Sequence, residues 1–113
     1  MHNDLLIEIG QRLFERRKQL RFTQEDLAEK ANVTSQMISN AELGKKAMRP
    51  ENIIKLCSVL GISTDYFLNG VINDTDISLL KDKLGQLQPV QFRHFEDIAN
   101  SFVAVCTENR ENK

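Results

Sequence analysis

The stretch TQEDLAEKANVTSQMISNAELGKK, residues 23–46, holds two short helical patterns with room between them for only a three- to four-residue turn. In the first, Thr23 is followed three positions on by Asp26, a weaker form of the capping box, and Leu27, Ala28 and Ala31 give a narrow apolar face. Asn32 tolerates a left-handed backbone, so it can stop that helix and turn the chain toward Val33 and a second cap at Thr34. The second pattern is the unusual one. Only Ile38 and Ala41 look comfortably apolar, whereas Ser35, Gln36, Ser39 and Asn40 crowd its surface. A helix this short buries too little to stabilise itself, so its polar face needs a use.

Upstream, Leu6, Ile9, Leu13 and Leu20 form a helical stripe with Arg17 standing where another leucine would fit. A guanidinium on that stripe needs a carboxylate partner, because an orphaned buried charge costs roughly 3–5 kcal/mol. Downstream, Gly44 and the run KKAMR lead to Pro50, a first-turn proline, and to a stripe of Ile53, Ile54, Leu56, Cys57 and Leu60 that ends at Gly61. Ser63 caps a last small helix, TDYFL, closed by Asn69 and Gly70. Residues 5 to 70 therefore read as five helices with brief connections and no strand candidate, and the first domain is assigned to residues 1–70.

Beyond Gly70 the polar, turn-prone VINDTD marks a boundary, and residues 71–113 read as a two-helix extension. One helix carries Ile77, Leu80, Leu84 and Leu87; the other opens at Pro89 and carries Phe92, Phe95, Ala99, Phe102 and Cys106 at alternating spacings of three and four. That is the heptad rhythm of helices packing on helices. About forty residues seldom fold alone, so the extension packs on the domain, on a second copy, or on another protein.

Composition narrows the function classes. A chain of 113 residues with 41% apolar and 27% charged residues suits one compact domain with an appendage. Its net charge of −1 does not advertise nucleic acid or membrane, so any such role rests on local charge. Residues 1–70 hold ten Lys or Arg against nine Asp or Glu, a net +1, and residues 71–113 hold five against seven, a net −2. No apolar run approaches bilayer-spanning length, which leads us to expect a cytoplasmic protein without a membrane partner. Cys57 and Cys106 are too few for a disulfide framework and read as packing residues. His2 and His94 lack metal-ligand spacing, and no Gly-rich phosphate loop or Cys/His pair is present, so neither enzyme, metal nor cofactor is expected.

A helix-turn-helix whose second helix displays donors and acceptors suits the DNA major groove, which is wide enough to admit it. Gln36 and Asn40 are four apart and share a face, with Ser35 and Ser39 beside them. Gln and Asn pair bidentately with adenine, and serine contacts several bases. Lys45, Lys46 and Arg49 form a compact cationic loop suited to phosphates, contacts that position a protein without reading sequence. A solvated polar face beside a basic loop is the alternative, and composition alone favours it.

Spacing shifts the balance. The stretch from Thr23 to Lys46 resembles the helix-turn-helix of Cro and phage-repressor-type transcription regulators, the lambda-repressor-like or XRE family. The residues that carry the resemblance are Thr23-Gln24, Leu27-Ala28, Val33, Ile38-Ser39, Glu42 and Gly44-Lys45. It extends outward through IGQRLFERRKQLRF and RPENIIKLCSVLGISTDYFLNG, so it covers residues 5 to 70. Asn32 replaces the glycine usual in the turn. The resemblance implies an all-α, five-helix DNA-binding domain with a recognition helix at 35–43. It implies base contacts from Ser35, Gln36 and Asn40, with Met37 and Ser39 also against the DNA. Gln24 matches a phosphate-contacting position, and Thr34, Lys45, Lys46 and Arg49 complete the expected phosphate set. In this family an arginine at the position of Arg17 pairs with the glutamate ending the recognition helix, here Glu42; one turn beyond Ile38, Glu42 faces inward in the helical pattern as well.

The function so implied is that of a bacterial, phage or mobile-element transcription regulator acting on double-stranded DNA as a homodimer on near-palindromic sites, a repressor by expectation. Leu80, Leu84, Phe92, Phe95, Phe102 and Cys106 are the candidate dimer interface, the alternative being that they cap the domain's own core. The rival function is an antitoxin or anti-repressor module whose C-terminal helices grip a partner protein.

Overall fold

The computed structural model describes residues His2 to Glu111, with side chains described from Asp4 to Glu108. Seven helices follow one another: α1 (His2–Gln19), α2 (Gln24–Ala31), α3 (Ser35–Glu42), α4 (Pro50–Leu60), α5 (Thr64–Asn69), α6 (Asp74–Leu84) and α7 (Pro89–Glu111). Among the described residues there is no strand. The chain divides into two compact units, one running to Leu79 and the other starting at Leu80, so that α6 begins in the first and ends in the second.

The first unit is built around one core. Leu13, Leu27, Ile38, Leu56, Leu60 and Phe67 are fully buried, and Ile9, Ala28, Ala31, Ala41 and Cys57 complete the cluster. Each of α1 to α5 thus sends at least one side chain inward, the distribution its apolar spacing requires. The caps follow the sequence. Thr23 and Asp26 form a full capping box at α2, and the bonds from the Thr23 backbone and hydroxyl hold the Asp26 carboxyl below its usual range. Asn32 stops α2 with φ 55° and ψ 50°. Thr34, Pro50 and Ser63 open α3, α4 and α5.

Several boundaries differ from the sequence reading, each for a local reason. Helix α1 ends at Gln19, before Leu20, because Arg21 takes a left-handed φ of 61° while its N–H bonds the Lys18 carbonyl and that of Phe22 bonds the Arg17 carbonyl. Helix α3 ends at Glu42, with Leu43 as its cap. The polar run VINDTD is part turn and part helix: the Asn73 side chain accepts from the N–H groups of Thr75 and Asp76, while Asp76 accepts from the Asn73 N–H, a second capping box that starts α6 at Asp74. Leu87 lies past the end of α6.

Asp76 also reaches back. Its carboxylate accepts from the Ser63 N–H at 2.8 Å and the Ser63 hydroxyl at 2.6 Å, so the start of α6 is bonded to the residue that caps α5. Two arginines on α1 hold the far ends of the neighbouring helices. Arg12 donates to the Phe67 and Leu68 carbonyls and Arg16 to the Leu60 carbonyl, placing positive charge at the C-terminal turns of α5 and α4.

The second unit has no comparable interior. From Leu80 to Glu108 no described residue is buried, and Val90, Ile98, Phe102, Val103 and Val105 are exposed on α7. Cys57 is a packing residue as expected, but Cys106 is exposed, because it lies on α7 in a unit that has no buried core among its described residues.

Candidate nucleic-acid interface

Helix α3 is pressed against α1 at a point where no side chain fits. A Cβ built on Gly10 would overlap the carbonyl oxygens of Ala41 and Glu42, so the last turn of α3 lies directly on the α1 backbone. Just beyond, Gly44 turns the chain with φ 70°, and a Cβ there would meet the Ile7 side chain and backbone. Glycine is the residue that accepts both this φ and this proximity.

A buried ion pair fixes the same end of α3. Arg17 Nε donates to Glu42 Oε2 at 2.6 Å and Arg17 Nη2 to Glu42 Oε1 at 3.1 Å, while Nη1 reaches the Phe22 carbonyl at 2.8 Å. Both side chains are under one tenth exposed. The hydrogen bond to Glu42 raises the Arg17 pKa, with burial opposing it and the Glu42 charge adding to it. Gln24 Nε2, at the start of α2, donates to Glu42 Oε1 at 3.1 Å. Glu42 therefore joins the end of α1, the start of α2 and the end of α3.

The face of α3 opposite Ile38 and Ala41 is left outward. Thr34 accepts from the Met37 N–H as cap, and Gln36 is exposed, with Ser35, Ser39 and Asn40 half-buried. Gln36 and Asn40 are bonded to each other, Gln36 Nε2 donating to Asn40 Oδ1 at 3.2 Å. Met37 is turned the other way: it packs against the core, and its sulfur accepts from Asn52 Nδ2 at 3.3 Å. Lys45, Lys46 and Arg49 are exposed in the loop after α3, and among the described residues none of the three is in an ion pair.

The structure thus gathers Gln24, Thr34, Ser35, Gln36, Ser39, Asn40 and the three cations on or around one short helix. Leu80, Leu84, Phe92, Phe95, Phe102 and Cys106 belong to the second unit, with Leu84, Phe92 and Phe95 half-buried and Leu80, Phe102 and Cys106 exposed. The Gln36–Asn40 bond, the commitment of Gln24 to Glu42 and the Asn52–Met37 contact are beyond sequence reasoning, although the i, i+4 spacing of Gln36 and Asn40 makes their bond possible.

Other chemistry finds little footing. Burial, then the Asp76 charge, pushes the Cys57 thiol up to about 11, which keeps it protonated and unreactive at neutral pH. Among the described residues no group of His, Cys, Asp and Glu is placed to hold a metal ion; the His2 side chain lies outside the described residues.

Known proteins share this arrangement. Residues 13–67 match the helix-turn-helix family model. Over 75 residues the chain is 32% identical to the HTH-type transcriptional regulator ImmR of Bacillus subtilis (strain 168), covering 63% of this chain and 59% of that protein. Over 58 residues it is 33% identical to YqaE of the same organism, an uncharacterized HTH-type transcriptional regulator, covering 51% and 50%. The chain thus spans between half and three fifths of these curated relatives. Among solved structures, the restriction-modification controller protein C.AhdI from Aeromonas hydrophila is 31% identical with a TM-score of 0.53, and the match covers 55% of this chain and 94% of that one. The chain belongs to the Cro/phage-repressor-type helix-turn-helix family.

Within that family's helix-turn-helix, α2 and α3 are the paired helices, and α3 is one residue shorter than the expected 35–43. Asn32, in place of the usual glycine, adopts the left-handed turn that the motif needs. A second solved structure reaches further along the chain. A chain of the SinR protein/SinI protein complex is 26% identical with a TM-score of 0.55, covering 85% of this chain and 98% of that one.

Proposed function

We propose that this chain is a sequence-specific, double-stranded DNA-binding transcription regulator, a repressor rather than an enzyme, that inserts α3 into the major groove and acts as a homodimer on near-palindromic sites. The observation that carries this reading is the division of α3: Ile38, Ala41 and Glu42 are locked inward, while Gln36, Asn40 and the two serines are left on the outside of a helix that two neighbours hold rigidly. A rigid mount is what base reading requires, since placement sets which edges the amides meet. Gln24, Thr34, Lys45, Lys46 and Arg49 supply the phosphate contacts in this reading, and membership of the family supports it.

A single α3 covers a short half-site, too little for useful selectivity, so the reading includes a dimer. The stripe of Phe92, Phe95, Phe102 and Cys106 on α7, with Leu80 and Leu84 on α6, is the proposed interface; a helix of 23 residues with no buried side chain among those described needs a partner to be stable in water. No helix among the described residues is long and apolar enough to cross a membrane, in keeping with the proposed cytoplasmic, nucleoid-associated site of action.

One observation favours a second reading, in which the C-terminal helices grip another protein: the similarity to a chain of the SinR protein/SinI protein complex extends over 85% of this chain. Two measurements separate the readings. A reporter with a bound site across its promoter is expected to fall silent with the wild-type chain and to recover with the Gln36→Ala, Asn40→Ala double variant; unchanged transcription with wild type contradicts repression. Dimeric elution at micromolar concentration with a protease-resistant tail fits the homodimer, whereas a monomer cleaved after Leu79 fits the partner-binding module.

A further inference from the structure

We propose that the first unit binds a small aromatic carboxylate, a single ring of benzoate size, in a cavity behind the cationic loop, and that this ligand draws Lys46 away from DNA. The regulatory half of the proposal rests on the DNA-binding reading; the binding half stands without it.

The cavity lies where α1, α4 and α5 meet the loop that follows α3. Leu5 and Ile9 of α1, Ile53 of α4, Leu68 of α5 and Met48 of the loop make a wall that is almost wholly apolar, and Lys46 supplies its one charge among the described residues. The volume is about 180 Å³. Packed interiors leave few spaces larger than a water molecule. An apolar cavity of about 150 Å³ takes up benzene, so this one has room for one ring and little more.

The lining chooses among ligands of that size. Met48 offers a thioether, whose contact with an aromatic edge is favourable, and so prefers a ring to an aliphatic chain of equal volume. Lys46 is exposed and in no ion pair among the described residues, and it carries its ammonium on a long flexible stem. A carboxylate on the ring meets that ammonium at the mouth of the cavity, where both charges stay in water and little desolvation opposes them.

Lys46 also belongs to the loop assigned above to phosphate contacts. An ammonium paired with the ligand is lost to phosphate, so ligand and DNA oppose each other. By linkage each lowers the affinity for the other by the same factor.

The test follows the methionine methyl resonances of the full chain as benzoate is added to about 10 mM, since a ligand this small binds at roughly 1 mM. The Met48 methyl is expected to shift, while that of Met37, which is bonded to Asn52 and does not line the cavity, stays in place. Benzyl alcohol, a ring without the charge, is expected to bind about two- to fivefold more weakly, and Lys46→Gln to erase that difference. Hexanoate, a charge without the ring, is expected to bind about two- to tenfold more weakly than benzoate. Leu68→Phe, checked for an unchanged or higher melting temperature, fills the cavity and abolishes the Met48 shift. At matched ionic strength and low salt, saturating benzoate is expected to weaken binding of wild type to a random-sequence duplex several-fold and to make its salt slope shallower by about 1, and to leave Leu68→Phe binding unchanged.

No Met48 shift in wild type overturns the site. Benzyl alcohol or hexanoate binding as tightly as benzoate overturns the choice of ligand. A Met48 shift with duplex affinity unaltered overturns the competition for Lys46. A chain that shows the shift but binds no duplex even without benzoate overturns the DNA-binding reading and the regulatory half with it, while the binding half stands.

Discussion

Arg17 in the last turn of α1 and Glu42 at the end of α3 are 25 residues apart and meet through two parallel hydrogen bonds in the interior of the domain. The pair shows why one position of an otherwise apolar stripe is charged: it fastens the end of α3 to α1. Removing one partner leaves the other buried and unpaired. Arg17→Met is expected to lower stability by about 3–5 kcal/mol, read by denaturant titration, and the double variant Arg17→Met, Glu42→Leu to regain most of it. A single variant as stable as wild type contradicts the pairing.

The packing of α1 on α3 makes a second expectation. In an exposed helix Gly→Ala stabilises by roughly 0.5–1 kcal/mol. At Gly10 the added methyl meets the Ala41 and Glu42 carbonyls, whose backbone position is held by the ion pair. Overpacking of about 1–3 kcal/mol outweighs the helical gain, so Gly10→Ala is expected to melt lower than wild type. A variant that melts higher would mean that α1 and α3 part without cost.

Asp76 gives the domain an acid-sensitive join. Desolvation pushes its pKa up, but the bonds from the Ser63 hydroxyl, the Asn73 and Ser63 N–H groups and the charge of Arg16 together outweigh this and hold the carboxyl below its ordinary value. A depressed carboxyl pKa adds stability that is present above the unfolded value, about 4, and is lost as pH falls through the folded value. Asp76→Ala is expected to destabilise by about 1–3 kcal/mol at neutral pH by leaving the Ser63 groups without their acceptor, and to flatten the fall in stability below about pH 4. The Asp26 carboxyl, also depressed, keeps part of that fall in the variant. Equal acid profiles for variant and wild type contradict the join.

The cationic loop is tested by salt. Each phosphate neutralised contributes a slope of about −0.9 in log K against log[salt] on duplex DNA. Replacing Lys45, Lys46 and Arg49 together by alanine is expected to weaken binding and to make that slope shallower by about 2–3, with base preference unchanged. An unaltered slope removes the loop from the interface.

Much of this was legible in the sequence because local rules and tertiary needs agree. The caps at Thr23, Thr34 and Ser63, the stops at Asn32, Gly61 and Gly70 and the buried faces of α2 and α4 follow from residue type and spacing, with Ile54 the exception: the sequence places it on the α4 stripe, but it lies 62% exposed on the other side of the helix from Leu56, Cys57 and Leu60. The Arg17–Glu42 geometry was foreshadowed by a charge in the wrong place on an apolar stripe. What escaped has a common cause, side chains spent on distant or neighbouring backbone. Arg12 and Arg16 look like solvated charges but cap α5 and α4, and the apparent linker VINDTD contains the carboxylate that caps α6 and binds Ser63. At the site, Gln24 and Met37 are polar or adaptable residues in plausible DNA-facing positions, and only the fold shows the first bonded to Glu42 and the second to Asn52.

The most direct test of the account is selection of bound sequences from a random duplex pool at low salt, with half-site spacing read from the enriched set. The expected result is two half-sites in two-fold symmetry, about 10 base pairs centre to centre or a multiple of this, recovered by wild type and lost in the Gln36→Ala, Asn40→Ala double variant. A wild-type protein that enriches no sequence, or a double variant that enriches the same one, would contradict the claim that α3 reads DNA.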